Sequence, residues 1–214
     1  MRTALALAAL AALTVCNTAP VKPDFGLKVG NVWTYSQKSG DATSTIKETA
    51  VRWVNSDRTH ALEIKADYSG GYEGYLYRSQ NENGLLSFHN SEMREPGVAW
   101  DLPPTVLIKM PFNKGLTWNW VQPFRGQTSG RVTQADLDKL TSYETAVIVS
   151  DDEEVTVPAG TYKAFHVQVS ARTEARGTST EDRWYVMGVG LVKSVYADHH
   201  VRTERVLTAF TPGK

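Results

Sequence analysis

The chain has 214 residues, 41% of them hydrophobic and 21% charged, and its 23 basic and 23 acidic residues cancel to a formal net charge of zero. That is long enough to bury a sizeable core, in proportions ordinary for a soluble globular protein. The balance of charge carries no footprint for nucleic acid and no overall steering toward an anionic membrane.

The first fifteen residues do not read as part of a fold. MRT supplies a positive start, and ALALAALAALTV (4–15) follows as an unbroken apolar run. Twelve residues are too few to span a bilayer as a helix but suit the core of a signal peptide. Residues 1–15 are therefore expected to be removed on export. Cys16 is the one cysteine, so no internal disulfide is available. NTAPVKPD (17–24) is polar with two prolines, which disfavour both helix and ladder, and residues 16–24 are predicted as a tether. One domain is expected over 25–212.

From there the β signal is nearly continuous. WTYSQK (33–38), TIKETAVRWV (45–54), HALEIKADY (60–68), YEGYLYR (72–78) and LLSFH (85–89) read as strands. Turn clusters separate them at SGDA (39–42), NSDR (55–58), SGG (69–71) and NENG (81–84), with Gly70 and Gly84 expected to supply positive φ. Short turns join antiparallel neighbours and cannot join parallel ones. The middle is less regular. REPGVAWDLPP (94–104) reads as loop, because three prolines forbid ladder bonding, and VTQADLDKLTS (132–142) is the one helix candidate, capped by Thr133 with Leu137 and Leu140 as its apolar edge.

The last third returns to strands. ETAVIVS (144–150) runs through DDEE (151–154) into VTVPAGTYKAFHVQV (155–169), a strand, a Pro-Ala-Gly turn and a strand. Phe165, Val167, Val169 and Ala171 fall on one face and His166, Gln168, Ser170 and Arg172 on the other. That alternation predicts a buried odd-numbered face, with the even one toward water or a neighbour. EDRWYVM (181–187), GLVKSVYA (190–197) and VRTERVLTAF (201–210) follow, with Gly188 and Gly190 marking a bulge or sharp bend around Val189. GNVWTY (30–35) and GLTWNW (115–120) share Gly-x-x-Trp-x-aromatic, each a Gly turn leading into a strand that buries its Trp. The pattern fits two related halves of a sheet and also a local device used twice. The expected fold is all-β: one antiparallel meander of about ten strands, curled into a strongly curved sheet or open barrel, with a short helix near 134–141.

Chemistry is sparse. The chain has no Gly-x-Ser-x-Gly elbow, His-Glu-x-x-His, P-loop or Gly-x-Gly-x-x-Gly, and no cofactor is implied. Asp198, His199 and His200 are the best metal-ligand candidates. Read as strand, the two histidines point to opposite faces, so an ion would need help from His60, His89 or His166; a polar turn explains the same residues. DDEE could attract calcium but lacks the alternating oxygens and the glycine of a calcium loop. Trp53, Tyr68, Tyr72, Tyr75 and Tyr77 form the richest aromatic patch and are the candidate ligand-binding residues. Tyr75 and Tyr77 share a strand face, and cross-strand packing accounts for them as well.

LTVC (13–16) resembles the lipobox of bacterial lipoproteins, in which the cysteine is lipidated and becomes the first mature residue; Val15 stands where that motif usually has a small residue. LKVGNVWTY, MPFNKGLTW, VPAGTYKAFHV and WYVMGVGLVKS, in that order over 27–194, together resemble a family of bacterial secreted proteins and lipoproteins of unassigned function. The resemblance implies an antiparallel β fold in the envelope and brings no catalytic residues. The leading expectation is a non-enzymatic exported protein that binds a ligand on a β scaffold. The ligand is apolar, a lipid for instance, if the barrel is too wide to fill itself. Two alternatives stand beside it: a component that docks to an envelope protein through an exposed patch, and a hydrolase with a carboxylate pair assembled in space. The partners expected are the membrane, through an anchor at Cys16, and an unidentified ligand or envelope protein.

Overall fold

The computed structural model describes residues 24–56, 59–88, 104–122 and 133–214. Residues 1–15, expected to be a signal peptide, Cys16, the expected tether up to residue 23, His89 and nearly all of the 94–104 segment lie outside them. The described residues form β1 (Val32–Ser39), β2 (Ala42–Ser56), β3 (Thr59–Tyr68), β4 (Glu73–Asn81), β5 (Gly84–Phe88), β6 (Thr105–Lys109), β7 (Thr117–Gln122), α1 (Gln134–Lys139), β8 (Ser142–Val157), β9 (Gly160–Thr173), β10 (Gly177–Val186), β11 (Gly190–Ala197) and β12 (Arg202–Thr211). Twelve strands form, close to the expected count of about ten. The additional pair is β6 and β7, in the stretch that proline made look irregular. β7 is the strand that the GLTWNW echo implies.

All twelve strands belong to one antiparallel sheet in the order β6-β5-β4-β3-β2-β1-β12-β11-β10-β9-β8-β7. Two six-strand meanders are thus joined where β1 pairs β12, and β6 and β7 are left as the two edges. A twisted sheet of twelve strands must curl to bury one face. The curl brings the edges together, and the Trp118 indole N–H donates to the Val106 carbonyl across the seam at 3.0 Å. Side chains of β5, β6, β7, β8, β9 and β10 share one core, including Leu85, Ile108, Trp118, Ile148, Val167 and Tyr185. A second core, around Trp33, Tyr35, Ile46, Leu62, Ile64 and Leu207, spans β1, β2, β3 and β12.

The β8–β9 hairpin corrects the expected alternation. From Phe165 onward the odd-numbered face turns inward, as the pattern predicts, with Val167 and Val169 buried and Phe165 and Ala171 partly covered. Nearer the tip the buried positions are Val155, Val157 and Ala164, with Tyr162 half-covered, so β9 changes its buried face between 164 and 165. Two register shifts in β8, at Ile148/Ser150 and Ser150/Glu153, absorb the change. Past them the tip leaves the β7-to-β10 core and packs with Trp184, Val206 and Leu207, and the Ala159 N–H donates to the Leu207 carbonyl at 3.1 Å. Even-numbered His166 is therefore not a free outer residue. Its two ring nitrogens each lie 2.9 Å from a carboxylate, Glu153 and Asp182, and its ring stacks on Trp184 at 4.4 Å.

One end of the barrel is sealed by the segments that carry the family resemblance. Phe25 is fully buried and packs edge-on against Phe112 and Tyr185. Asn31, also buried, donates to the Gly26 carbonyl and accepts from the Gly213 N–H, both at 2.6 Å. The Trp33 indole donates to the Val189 carbonyl in the turn between Gly188 and Gly190, at 2.6 Å. At the same end Gly84, with φ of 130°, lies where a Cβ would stand 2.0 Å from the Ile108 carbonyl oxygen, so no other residue fits. In the SGG turn, Gly71 takes the positive φ expected of Gly70. The opposite end, the mouth, carries the turns at 40–41, 69–72, 174–176 and 198–201, with α1 fastened there by the Ala175 N–H to the Lys139 carbonyl at 3.0 Å.

Candidate functional site in the barrel interior

Alternation along each strand puts charged side chains on the same face as the cores. Gln37 follows Tyr35, Glu48 follows Ile46, Arg205 precedes Leu207, and Arg78 stands opposite Leu62. On the other wall, Arg183 pairs with Val167, Glu181 with Val169 and Glu144 with Trp120. None of this shows as a motif, because each charge enters the interior from a different strand.

Glu48 is 1% exposed and is held by two guanidinium groups, Arg78 at 3.2 Å and Arg205 at 3.5 Å. Arg205 also donates to Gln37 through Nε and Nη2, at 3.2 and 2.9 Å, and lies over the Tyr35 ring. A carboxylate buried this deeply stands only if its charge is matched, and two arginines more than match it. Burial works against the charge on Arg78; Glu48, with the Tyr35 and Tyr185 hydroxyls, outweighs it and raises the guanidinium above its ordinary value. Burial first, then Glu48, drives the Tyr35 hydroxyl up, out of any physiological titration.

The second wall is less completely matched. Arg183 Nη2 donates to Glu181 at 2.6 Å, but its Nη1 is buried with no hydrogen-bond partner, and so is the Trp120 indole N–H. Burial opposes the charge on Arg183, and Tyr185 and Glu181 overcome it. Glu144, beside Trp120 in the ladder, is pushed above the usual carboxylate range, chiefly by burial, although Ser142 and Arg183 pull the other way. Arg183 is ion-paired with Glu181, and its charge also acts on Glu144. At the mouth an open cleft of about 670 Å³ is lined by residues 175–180 and 197–199. At the sealed end a cleft of about 510 Å³ runs between Asp24, Lys28, Gln80 and Phe210.

The candidate aromatic residues are not one patch. Tyr75 and Tyr77 do share a face, the outer one, where Tyr77 is buried in a small cluster with Ala61, Leu86 and Phe88 and donates to Glu63 at 3.1 Å. Burial and Glu63 push its hydroxyl up to about 12. Trp53 stands on the inner face by register and stacks on His60 at 4.5 Å. Tyr68 and Tyr72 meet at 5.4 Å at the mouth. His199 and His200 lie in a turn and not in a strand, and their rings approach to 3.7 Å instead of pointing apart. Asp198 is occupied by that turn, accepting from the backbone N–H of His200 and Val201 and from the Tyr196 hydroxyl. The two backbone bonds hold its carboxyl below the ordinary value. Among the described residues no group of three His, Cys, Asp or Glu side chains is placed to hold a metal ion.

Comparison with other proteins gives the same picture at fold level. Residues 139–200, less than a third of the chain, match the DUF3108-like family. A putative lipoprotein from Parabacteroides distasonis is similar in structure at a TM-score of 0.51 and 15% identity, over 89% of this chain and 99% of that one. A putative exported protein with a YmcC-like fold from Bacteroides fragilis is similar at a TM-score of 0.51 and 11% identity, over the same shares. At these identities the likeness shows the fold alone. No curated protein matches the chain.

Proposed function

We propose that this is an exported, envelope-tethered protein without catalytic activity, which holds a polar ligand at the open mouth of its barrel. In this reading residues 1–15 are removed, Cys16 carries a lipid, residues 16–24 form the tether, and residues 25–212 form one domain. The exported and lipoprotein names of the two similar structures support the compartment. The observation that carries the ligand reading is the unequal construction of the two ends. Both ends carry a cleft, but the one at the sealed end is the smaller and lies against the closed packing of Phe25, Asn31 and Trp33, whereas the roomier one at the mouth is rimmed by Arg176, Ser179 and Thr180. A cleft of that size suits a small molecule, and such a rim selects for hydrogen-bonding groups.

A lipid inside the barrel finds little support. Packed side chains and the Glu48 and Arg183 clusters occupy the interior, and burying an acyl chain against unscreened charges is unfavourable. The docking alternative has one observation in its favour, the exposed cross-strand pair Val121 and Tyr143 beside the β7 edge.

Native mass spectrometry of the full processed chain, gently extracted from the envelope, tests the proposal. A reproducible extra mass at near-stoichiometric occupancy, lost in Arg176→Ala or Thr180→Ala, is the expected result. A clean apo mass, with β7 crosslinking to another envelope protein, would overturn it in favour of docking.

A further inference from the structure

We propose that the sealed end of the barrel is the face that rests on the lipid surface, with the mouth turned away from it. This rests on the reading of Cys16 as the anchor. The chain enters the fold at Asp24, whose carbonyl accepts from the Gly188 N–H at 2.7 Å, so the tether is rooted in the sealed end. Eight residue steps separate Cys16 from Asp24, a reach of at most about 29 Å. Strands β10 and β11, of ten and eight residues, span about 26–33 Å. A fully stretched tether therefore scarcely passes the length of the barrel, and an anchored cysteine holds the sealed end nearest the bilayer.

The surface at that end fits such a neighbour. Val29 and Met187 flank the root of the tether and are 39% and 38% exposed, although each stands beside a tightly hydrogen-bonded turn that could have carried polar residues. Val51 is exposed next to Ala50, which bonds the same Lys28-to-Asn31 turn. Exposed apolar residues occur at the mouth too, Tyr72 and Val201 among them, so apolarity alone does not choose an end. The root of the tether does. Among the described residues the turns of the sealed end expose Lys28, Lys114 and Lys214 with Asp24 and Glu82, a nearly balanced set, whereas those of the mouth carry Asp41, Glu174 and Asp198 with Arg176. The sealed end is thus the less acidic of the two, and its lysines stand beside exposed aliphatic side chains, which suits a headgroup layer better than the acidic turns of the mouth.

Amine footprinting of the full processed wild-type chain tests this without any substitution. The chain is reconstituted on phosphatidylethanolamine and phosphatidylglycerol vesicles and acetylated with and without them. The mass of the N-terminal peptide reports whether Cys16 is lipidated. The expected result is a several-fold loss of acetylation at Lys28, Lys114 and Lys214 on vesicles, with Lys38, exposed near the mouth, unchanged. A lipidated, vesicle-bound chain whose Lys28 and Lys214 stay as reactive as in solution overturns the proposed face while the anchor stands. An unlipidated Cys16 in a chain that does not bind vesicles overturns the anchor, and the face with it.

Discussion

Two strands begin with the same local arrangement and end with different duties. In β1 and β7 a glycine at φ of 86° or 87° precedes a buried tryptophan by three residues, and each indole donates to a distant carbonyl. β1 lies mid-sheet, between β2 and β12. Its second aromatic, Tyr35, is buried and donates to the Leu191 carbonyl at 3.0 Å, and the carboxylate opposite Trp33, Glu48, has two arginines. β7 has one ladder neighbour. Its first tryptophan serves to close the seam to β6, its second keeps a buried N–H without a partner, and the carboxylate opposite, Glu144, is raised by burial. A local pattern can therefore specify a buried tryptophan, while the number of neighbouring strands decides how well the polar groups beside it are satisfied.

The sharpest way to break the comparison is at Trp33. Trp33→Ala removes the largest side chain of the β1 core and a bond across 156 residues, and should cost about 3–5 kcal/mol in urea denaturation. Glu48→Ala should follow at about 3 kcal/mol, because it leaves Arg78 buried without its carboxylate; a double-mutant cycle with Arg78→Ala should recover much of the loss. At the other strand the effects should shrink. Trp118→Phe keeps the ring but removes the stitch to Val106, for about 1 kcal/mol, and hydrogen exchange should quicken first in β6. Trp120→Phe deletes a donor that has no acceptor and should be near neutral or slightly stabilising. An equal loss at Trp118 and Trp33 would erase the distinction between the two strands.

The smallest effect is a pH dependence. Glu144 is raised in the folded state, so its protonated form is the one folding prefers. Its contribution to stability is complete below the ordinary glutamate value and fades as pH rises through the elevated one. Glu144→Gln should flatten the stability profile over that weakly acidic window and leave the profile at lower pH unchanged. An identical slope in both proteins would mean that Glu144 is well solvated.

Much of the fold was legible because strand, turn and glycine signals act over a few residues. Period-two alternation placed ten of the twelve strands, and the Gly-Val-Gly bend around Val189 proved to be the turn that receives Trp33. β6 escaped because proline at 103 and 104 masks the short strand that follows. The interior charges escaped altogether. Glu48, Arg78, Arg183 and Arg205 look like the polar residues of any half-wet strand, and nothing local distinguishes a charge that faces water from one that faces another charge.

By itself, then, the sequence determined an antiparallel all-β chain with its turns in place, since backbone geometry and side-chain alternation are properties of neighbours. The tertiary structure decided which face each charge would occupy, where β9 would change sides, and that the sheet would open between β6 and β7. Those outcomes depend on groups brought together from 30 residues apart, as Glu48 and Arg78 are, or from 156, as Trp33 and Val189 are. Only closing the sheet creates the low-dielectric interior in which their pairing matters.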